Sequence, residues 1–215
     1  MRIHFLIFTL IFTVTFTQAQ KSKVAFSKLS GQERVWVILH PFIANKVRKL
    51  TNEAITVSNE MKTDTTLDGD PSGGQVDAFR HGYWMALLSM KICWHKALSL
   101  GKAHEKGSFK KYKRGITDDE GNRPDSVFGE MDLFNNKIGA IIGCNNKDIH
   151  KDSIRIIVKN AVLSGQMKII SKNAQGKALD SLGNAIDFSS IENYWKAPKF
   201  LIRSDKVLKT VFQKK

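Results

Sequence analysis

The chain has 215 residues and carries 34 Lys plus Arg against 20 Asp plus Glu, a net charge of +14. With 42% hydrophobic residues and only two cysteines it is neither a disordered tail nor a disulfide-built scaffold, and no repeat or low-complexity run divides it. The positive balance favours an anionic partner, phospholipid or nucleic acid, although lysines scattered over helices equally suit a merely solvated surface.

Arg2 and His4 precede the apolar run Phe5 to Phe16, and Thr17-Gln18-Ala19-Gln20 follows. This is the layout of a signal peptide over residues 1–19, cleaved after Ala19, and it predicts export to the periplasm or the medium. The run falls short of the roughly 20 residues of a membrane span, so no transmembrane segment is expected after cleavage. Residues 20–215 suffice for a single helical domain with a sizeable core.

Ser30-Gly31-Gln32-Glu33 has capping-box spacing and predicts a first helix to about His40, where Pro41 breaks it. A second helix is expected from Pro41 to Met61, with Ile43, Val47, Leu50 and Ile55 as its inner stripe. Lys62 to Gly74 is turn-rich, and Ser72 with Gln75 repeats the capping spacing ahead of a central helix to about Cys93. That helix is apolar nearly all round, through Val76, Phe79, Tyr83, Trp84, Leu87 and Leu88, which predicts burial. Trp94 to Glu105 reads as a fourth helix ended by Gly107.

Lys106 to Arg114 is basic and Asp118-Asp119-Glu120-Gly121-Asn122 is acidic, a loop placed to act as a lid. Asp125 or Ser126 caps the next helix, to about Gly143, and Asp152-Ser153 opens another that ends at Leu163. Beyond it, Met167 to Ile170 and Lys177 to Leu179 flank Asn173-Ala174-Gln175-Gly176, a hairpin signal within the segment 166–215. The aromatic tail, with Tyr194, Trp195 and Phe200, is expected to pack back on the helices. The class is mainly α, six to seven helices with a small C-terminal β-hairpin. Cys93 and Cys144 close either a disulfide or remain two buried thiols.

Against this background Asp77, Arg80 and His81 stand out as charged groups one helical turn apart on a helix without a solvated face. Asp132, Asn135, Asn136 and Gly139 form a narrow polar stripe among Phe128, Met131, Phe134 and Ile138, and Gly139 allows close helix approach. Antiparallel packing of the two helices would bring Asp132 to His81. His104 and Glu105 lie on a third helix beside the small residues Ala97 and Gly101.

Two chemistries fit these residues. In one, His81, His104 and Asp132, with Asp77, hold a divalent cation such as zinc or manganese, and Glu105 or Glu130 is the general base for a water. In the other, His81 is the base, Asp132 orients it and a cation or Arg80 stabilises the oxyanion, with Asp77 in the same catalytic group and Arg80, Asn135 and Asn136 binding substrate. Both lead to a hydrolase acting on a phosphodiester or lipid ester. The competing reading is a non-enzymatic exported binding module whose Asp, Arg, His and Asn network only fixes helix packing. No HExxH helix, GxSxG elbow or phosphate-cradling glycine loop is present.

Asp77-Ala78-Phe79-Arg80-His81-Gly82-Tyr83-Trp84, Ala103-His104-Glu105 and Met131-Asp132-Leu133-Phe134-Asn135-Asn136-Lys137-Ile138-Gly139 occur in that order. Together they resemble a bacterial family of unknown function found among exported proteins and as C-terminal modules of polymorphic-toxin-like proteins. The resemblance covers roughly residues 28–165. It implies a mainly helical domain with Asp77, Arg80, His81, His104, Glu105, Asp132, Asn135 and Asn136 as its polar signature, and carries no defined activity.

Overall fold

Six helices and one two-stranded sheet make up the described part of the chain, which in this computed structural model comprises residue 26 and residues 28–117, 121 and 123–207. The expected leader, residues 1–19, lies outside the described residues, as do Asp118, Asp119, Glu120 and Asn122 of the acidic loop segment. No helix among the described residues is long and apolar enough to cross a membrane.

Helix α1 (Gly31–Leu39) opens with the complete capping box: Ser30 accepts from the Glu33 amide, and Glu33 accepts from the Ser30 amide. Helix α2 (Pro41–Met61) starts on the proline, whose missing N–H costs nothing at a first turn. Its buried stripe is Val47, Leu50, Ala54, Ser58 and Met61. Ile55, expected inside, is half exposed, because the stripe advances by four-residue steps from Leu50 to Ala54 and Ser58.

Helix α3 (Gln75–Lys91) is the centre of the molecule, packed against α2, α4, α5 and α6. Every residue from Gln75 to Met90 except Arg80 is buried. Its N-cap is Gly74, which has no side chain to offer, so the expected Ser72 cap is replaced from seven residues upstream. Asp68 accepts from the Gln75 amide at 2.7 Å and from the Asp70 amide at 2.9 Å.

Helix α4 (Trp94–Lys113) does not stop at Gly107. That glycine is buried where Ser30 presses on the helix, and a Cβ there would lie 2.6 Å from the serine hydroxyl. Its lack of a side chain serves packing rather than termination. Helix α5 (Ser126–Asn145) is capped by Asp125, which accepts from the Val127 and Phe128 amides. Its other oxygen meets the buried Lys199 ammonium at 2.5 Å, pinning the tail to this helix start.

Helix α6 (Lys151–Leu163) covers α3 from the far side. It is laced to α2 and the turn after it by Lys151 with Glu53, Arg155 with Glu60 and Lys159 with Asp64.

Strand β1 (Lys168–Ile170) pairs antiparallel with β2 (Leu201–Arg203), Ile169 facing Ile202. The expected turn at Asn173–Gly176 does form, with Gly176 at φ +76° and the Asn173 side chain accepting from the Gln175 and Lys177 amides. Its arms pair over one bridge, Lys172 with Ala178, through Asn173 N–H to Lys177 O and Leu179 N–H to Ser171 O. The tail takes the place beside β1 instead, through Ser171 N–H to Phe200 O and Phe200 N–H to Leu179 O. Ile202 thereby reaches the core. Cys93 and Cys144 are free thiols, exposed and half-buried respectively, rather than a disulfide or two buried groups.

Candidate functional site

The site is built where α3, α4 and α5 meet. Its first determinant is backbone proximity. A Cβ on Gly139 would lie 2.7 Å from the Gly82 Cα, and one on Gly143 would lie 2.9 Å from the Ala86 Cα. Only small residues permit this approach. The register rises together on both helices, from Gly82 with Gly139 to Ala86 with Gly143, so α3 and α5 run in the same direction. The antiparallel arrangement expected from the sequence is therefore wrong. A 20-residue α4 crossing back between them makes the parallel pair possible.

In this register the first half of α5 brings Asp132 to the first half of α3. His81 Nε2 lies 3.4 Å from Asp132 Oδ1 and 3.5 Å from Asp77 Oδ1. All three side chains are buried, and their ligand atoms lie within 4.8 Å of one another. Asp77 Oδ2 accepts from the Gly73 amide at 2.7 Å, and Arg80 Nη2 donates to Asp77 Oδ1 at 2.6 Å. The same guanidinium nitrogen stands 3.5 Å from His81 Nε2, and the Arg80 side chain is partly exposed.

The buried polar atoms here are undersupplied. Among the described residues, Asp132 Oδ1, His81 Nδ1, Glu105 Oε1 and both ends of the Asn136 amide make no well-formed hydrogen bond, the Asn136 amide only approaching the His81 ring. Each such atom costs on the order of 1–3 kcal/mol, so this cluster is held at the expense of stability.

Electrostatics follow from burial. Loss of hydration holds His81 well below the usual imidazole value, Arg80 and His104 push the same way, and Asn136 opposes them. Loss of hydration also raises Asp132 well above the carboxylate range, reinforced by Asp77 and Glu105. Burial pushes Glu105 up to about 7, with Asp77 and Glu33 adding and His104 and Arg80 opposing. A neutral imidazole and two reluctant carboxylates form an acid-rich pocket short of positive charge.

His104 stands apart from the ligand cluster. Its Nδ1 meets Glu33 Oε1 at 2.9 Å, its ring packs edge-on to Trp84, and its side chain is 42% exposed. Burial depresses the imidazole, but the bond to Glu33 and the charges of Glu105 and Glu33 outweigh it and leave it raised. Glu33 loses hydration too, yet bonds from His104 and Ser30 bring it down to about 2. Of the four expected ligands, then, Asp77, His81 and Asp132 converge and His104 does not.

Glu33 is the residue that sequence reasoning missed. Its capping-box role occupies one carboxylate oxygen, Oε2, and leaves Oε1 facing α4. Asn135 goes elsewhere as well. Its amide both donates to the Lys168 carbonyl and accepts from the Lys168 amide at 2.9 Å, clamping the start of β1. Asn136 is fully buried behind His81 and against Gly101, where a Cβ would lie 2.9 Å from its Nδ2. Neither asparagine faces a substrate. Glu130 points to solvent, 3.8 Å from the Lys168 ammonium, and takes no part in the site.

A family model described as a domain of unknown function (DUF6973) matches residues 34–166, more than half of the chain, and the chain belongs to that family. The match holds Asp77, Arg80, His81, His104, Glu105 and Asp132 and ends before β1. No curated protein and no solved structure matches the chain.

Proposed function

We propose that this member of the family is an exported hydrolase in which Asp77, His81 and Asp132 hold a divalent transition metal and Glu105 is the general base. The single observation that carries this reading is the spacing of the donors. A tetrahedral metal at roughly 2.0–2.1 Å from its ligands sets neighbouring donors roughly 3.3–3.4 Å apart. The distances at His81 Nε2 are 3.4 and 3.5 Å. Three protein ligands with a fourth position open is the pattern of a catalytic rather than a structural site. The neutral His81 needs no deprotonation to bind, and a cation would relieve the crowding that raises Asp132.

A divalent cation held there supplies polarisation of a water. Glu105, poised near neutrality, takes the water proton as the oxygen forms its bond to phosphorus or to an acyl carbon. The leaving oxygen takes a proton from His104, which Glu33 orients through Nδ1. Arg80 swings from Asp77 to the substrate's anionic oxygens, as its partly exposed guanidinium allows. The surplus of basic residues supports an anionic substrate, a phosphodiester or a phospholipid. The apolar run and Ala19 at the start of the sequence support export.

A second reading has its own observation. Arg80 Nη2 already bridges Asp77 Oδ1 and His81 Nε2, so the guanidinium itself serves as the resident cation and the network only fixes helix packing. Elemental mass spectrometry of the purified protein beside His81→Ala, together with assays on an aryl phosphodiester and a phospholipid, separates the two. Hydrolysis predicts about one equivalent of zinc or manganese and turnover, both lost in a variant that keeps its helical circular dichroism. Absence of metal and of turnover in the parent, or turnover unchanged in the variant, sinks it.

A further inference from the structure

Helix α1 is apolar on two sides. Trp36 faces inward, its indole N–H donating to Ser99 on α4 at 2.7 Å. On its outer side Val35, Ile38 and Leu39 follow the i, i+3, i+4 pattern of a helix face, and Phe42 stands beyond the break at His40, in the first turn of α2. They are 57%, 66%, 70% and 100% exposed. A single exposed leucine carries no information, but three turn-spaced apolar residues with a bare phenylalanine at the adjoining corner form a docking surface.

Its surroundings identify the partner. Trp36 with Ser99, His104 with Glu33 and Gly107 with Ser30 show that α1 and α4 run antiparallel. The α1–α2 corner therefore shares one end of the molecule with the start of α4, where Trp94 is 42% exposed. From Arg34 to Asn52 and from Ala78 to His104 the sequence contains no Asp or Glu at all. The same two segments expose Lys46, Lys49, Lys91, Lys96 and Lys102. The later half of α2 differs, for Glu53 and Glu60 there are paired with α6.

We propose that this end of the molecule docks on an anionic phospholipid bilayer, with Val35, Ile38, Leu39 and Phe42 entering the acyl boundary and the lysines meeting the headgroups. An apolar helix face with an indole beside it and cations around it suits the bilayer interface, where apolar burial and electrostatic attraction add. A protein partner of similar size would meet a collar of cations with no acid to set register. The inference concerns the surface alone and stands whether or not the buried site is catalytic.

The test uses the chain from Gln20 onward, which retains every described residue, in co-sedimentation with vesicles. Phosphatidylcholine vesicles containing phosphatidylglycerol should bind it, with affinity falling as salt rises, and phosphatidylcholine alone should bind it weakly. Leu39→Asp and Phe42→Asp, at exposed positions that leave the fold intact by circular dichroism, should each weaken binding roughly tenfold or more. Lys46→Glu with Lys49→Glu should weaken it only on the anionic vesicles. Absence of binding, or binding indifferent to all four substitutions, overturns the proposal. A concentration-dependent dimer dissolved by Phe42→Asp, without vesicle binding, assigns the face to a second copy of the chain and overturns it too.

Discussion

Gly139 of α5 lies against Gly82 of α3 so closely that a methyl group on the former would enter the latter's peptide unit. Gly82 directly follows His81, so the spacing of the two backbones sets the distance from His81 to Asp132. Gly139→Ala must push the helices apart, at about 1–3 kcal/mol or more. It should lower thermal stability and, in the folded fraction, abolish the metal uptake proposed above by separating Asp132 from His81. Unchanged metal content in a folded Gly139→Ala protein contradicts this account of the site.

The Glu33–His104 pair makes stability depend on pH in a bounded window. Glu33 is depressed to about 2 from a usual 4.5, so its contribution is full above 4.5 and is lost as pH falls towards 2. His104 is raised, so its contribution is full below 6.5 and is lost as pH climbs through its folded value. Glu33→Gln should therefore cost most between about pH 5 and 6, on the order of 1–3 kcal/mol. The difference should narrow towards both extremes in urea denaturation. A loss of equal size at every pH reduces Glu33 to its helix cap.

Glu105 has the opposite sign. Its folded value of about 7 lies above the usual 4.5, so the metal-free fold binds the proton more tightly than the unfolded chain does. Stability contributed by the neutral acid is then lost as pH rises from 4.5 through 7. Glu105→Gln should flatten that decline and leave chelated protein more stable than the parent at pH 8, while eliminating turnover. A less stable Glu105→Gln protein at pH 8 would show the carboxylate to be paired and not stranded.

Asn135 and Asn136 are adjacent but should respond differently. Asn135→Ala strands the Lys168 amide and carbonyl and frees the start of β1, a loss of about 1–3 kcal/mol that hydrogen exchange should localise to the sheet. Asn136→Leu removes an amide that meets only the His81 ring, without a well-formed hydrogen bond, and should cost less stability than Asn135→Ala. Its effect should fall on the metal through His81. Equal destabilisation by the two substitutions would refute this division of labour.

Helix positions were legible because periodicity and caps are local signals: the buried α3, the Ser30 and Asp125 caps and the Pro41 break all follow from a few neighbouring residues. The grouping of Asp77, His81 and Asp132 was legible for a second reason, since charge on an all-apolar helix has to be met by charge on another. What failed depends on distant partners. Gly107 terminates nothing because Ser30 packs on it, and the Asn173 turn carries its pairing no further than the Lys172–Ala178 bridge because Phe200 arrives from far along the chain. The direction of α5 relative to α3 has no local signature either. Glu33 was hidden by doing two things, since a capping-box glutamate looks fully explained by its own helix.

The nine residues of α1 carry Glu33 on one side and the stripe ending at Leu39 on the other, with Trp36 wedged between them. A rod this short does not bend, so whatever presses on its outer face also shifts the acid that steers His104. Contact at the surface and the orientation of a half-buried imidazole are therefore joined by a single lever.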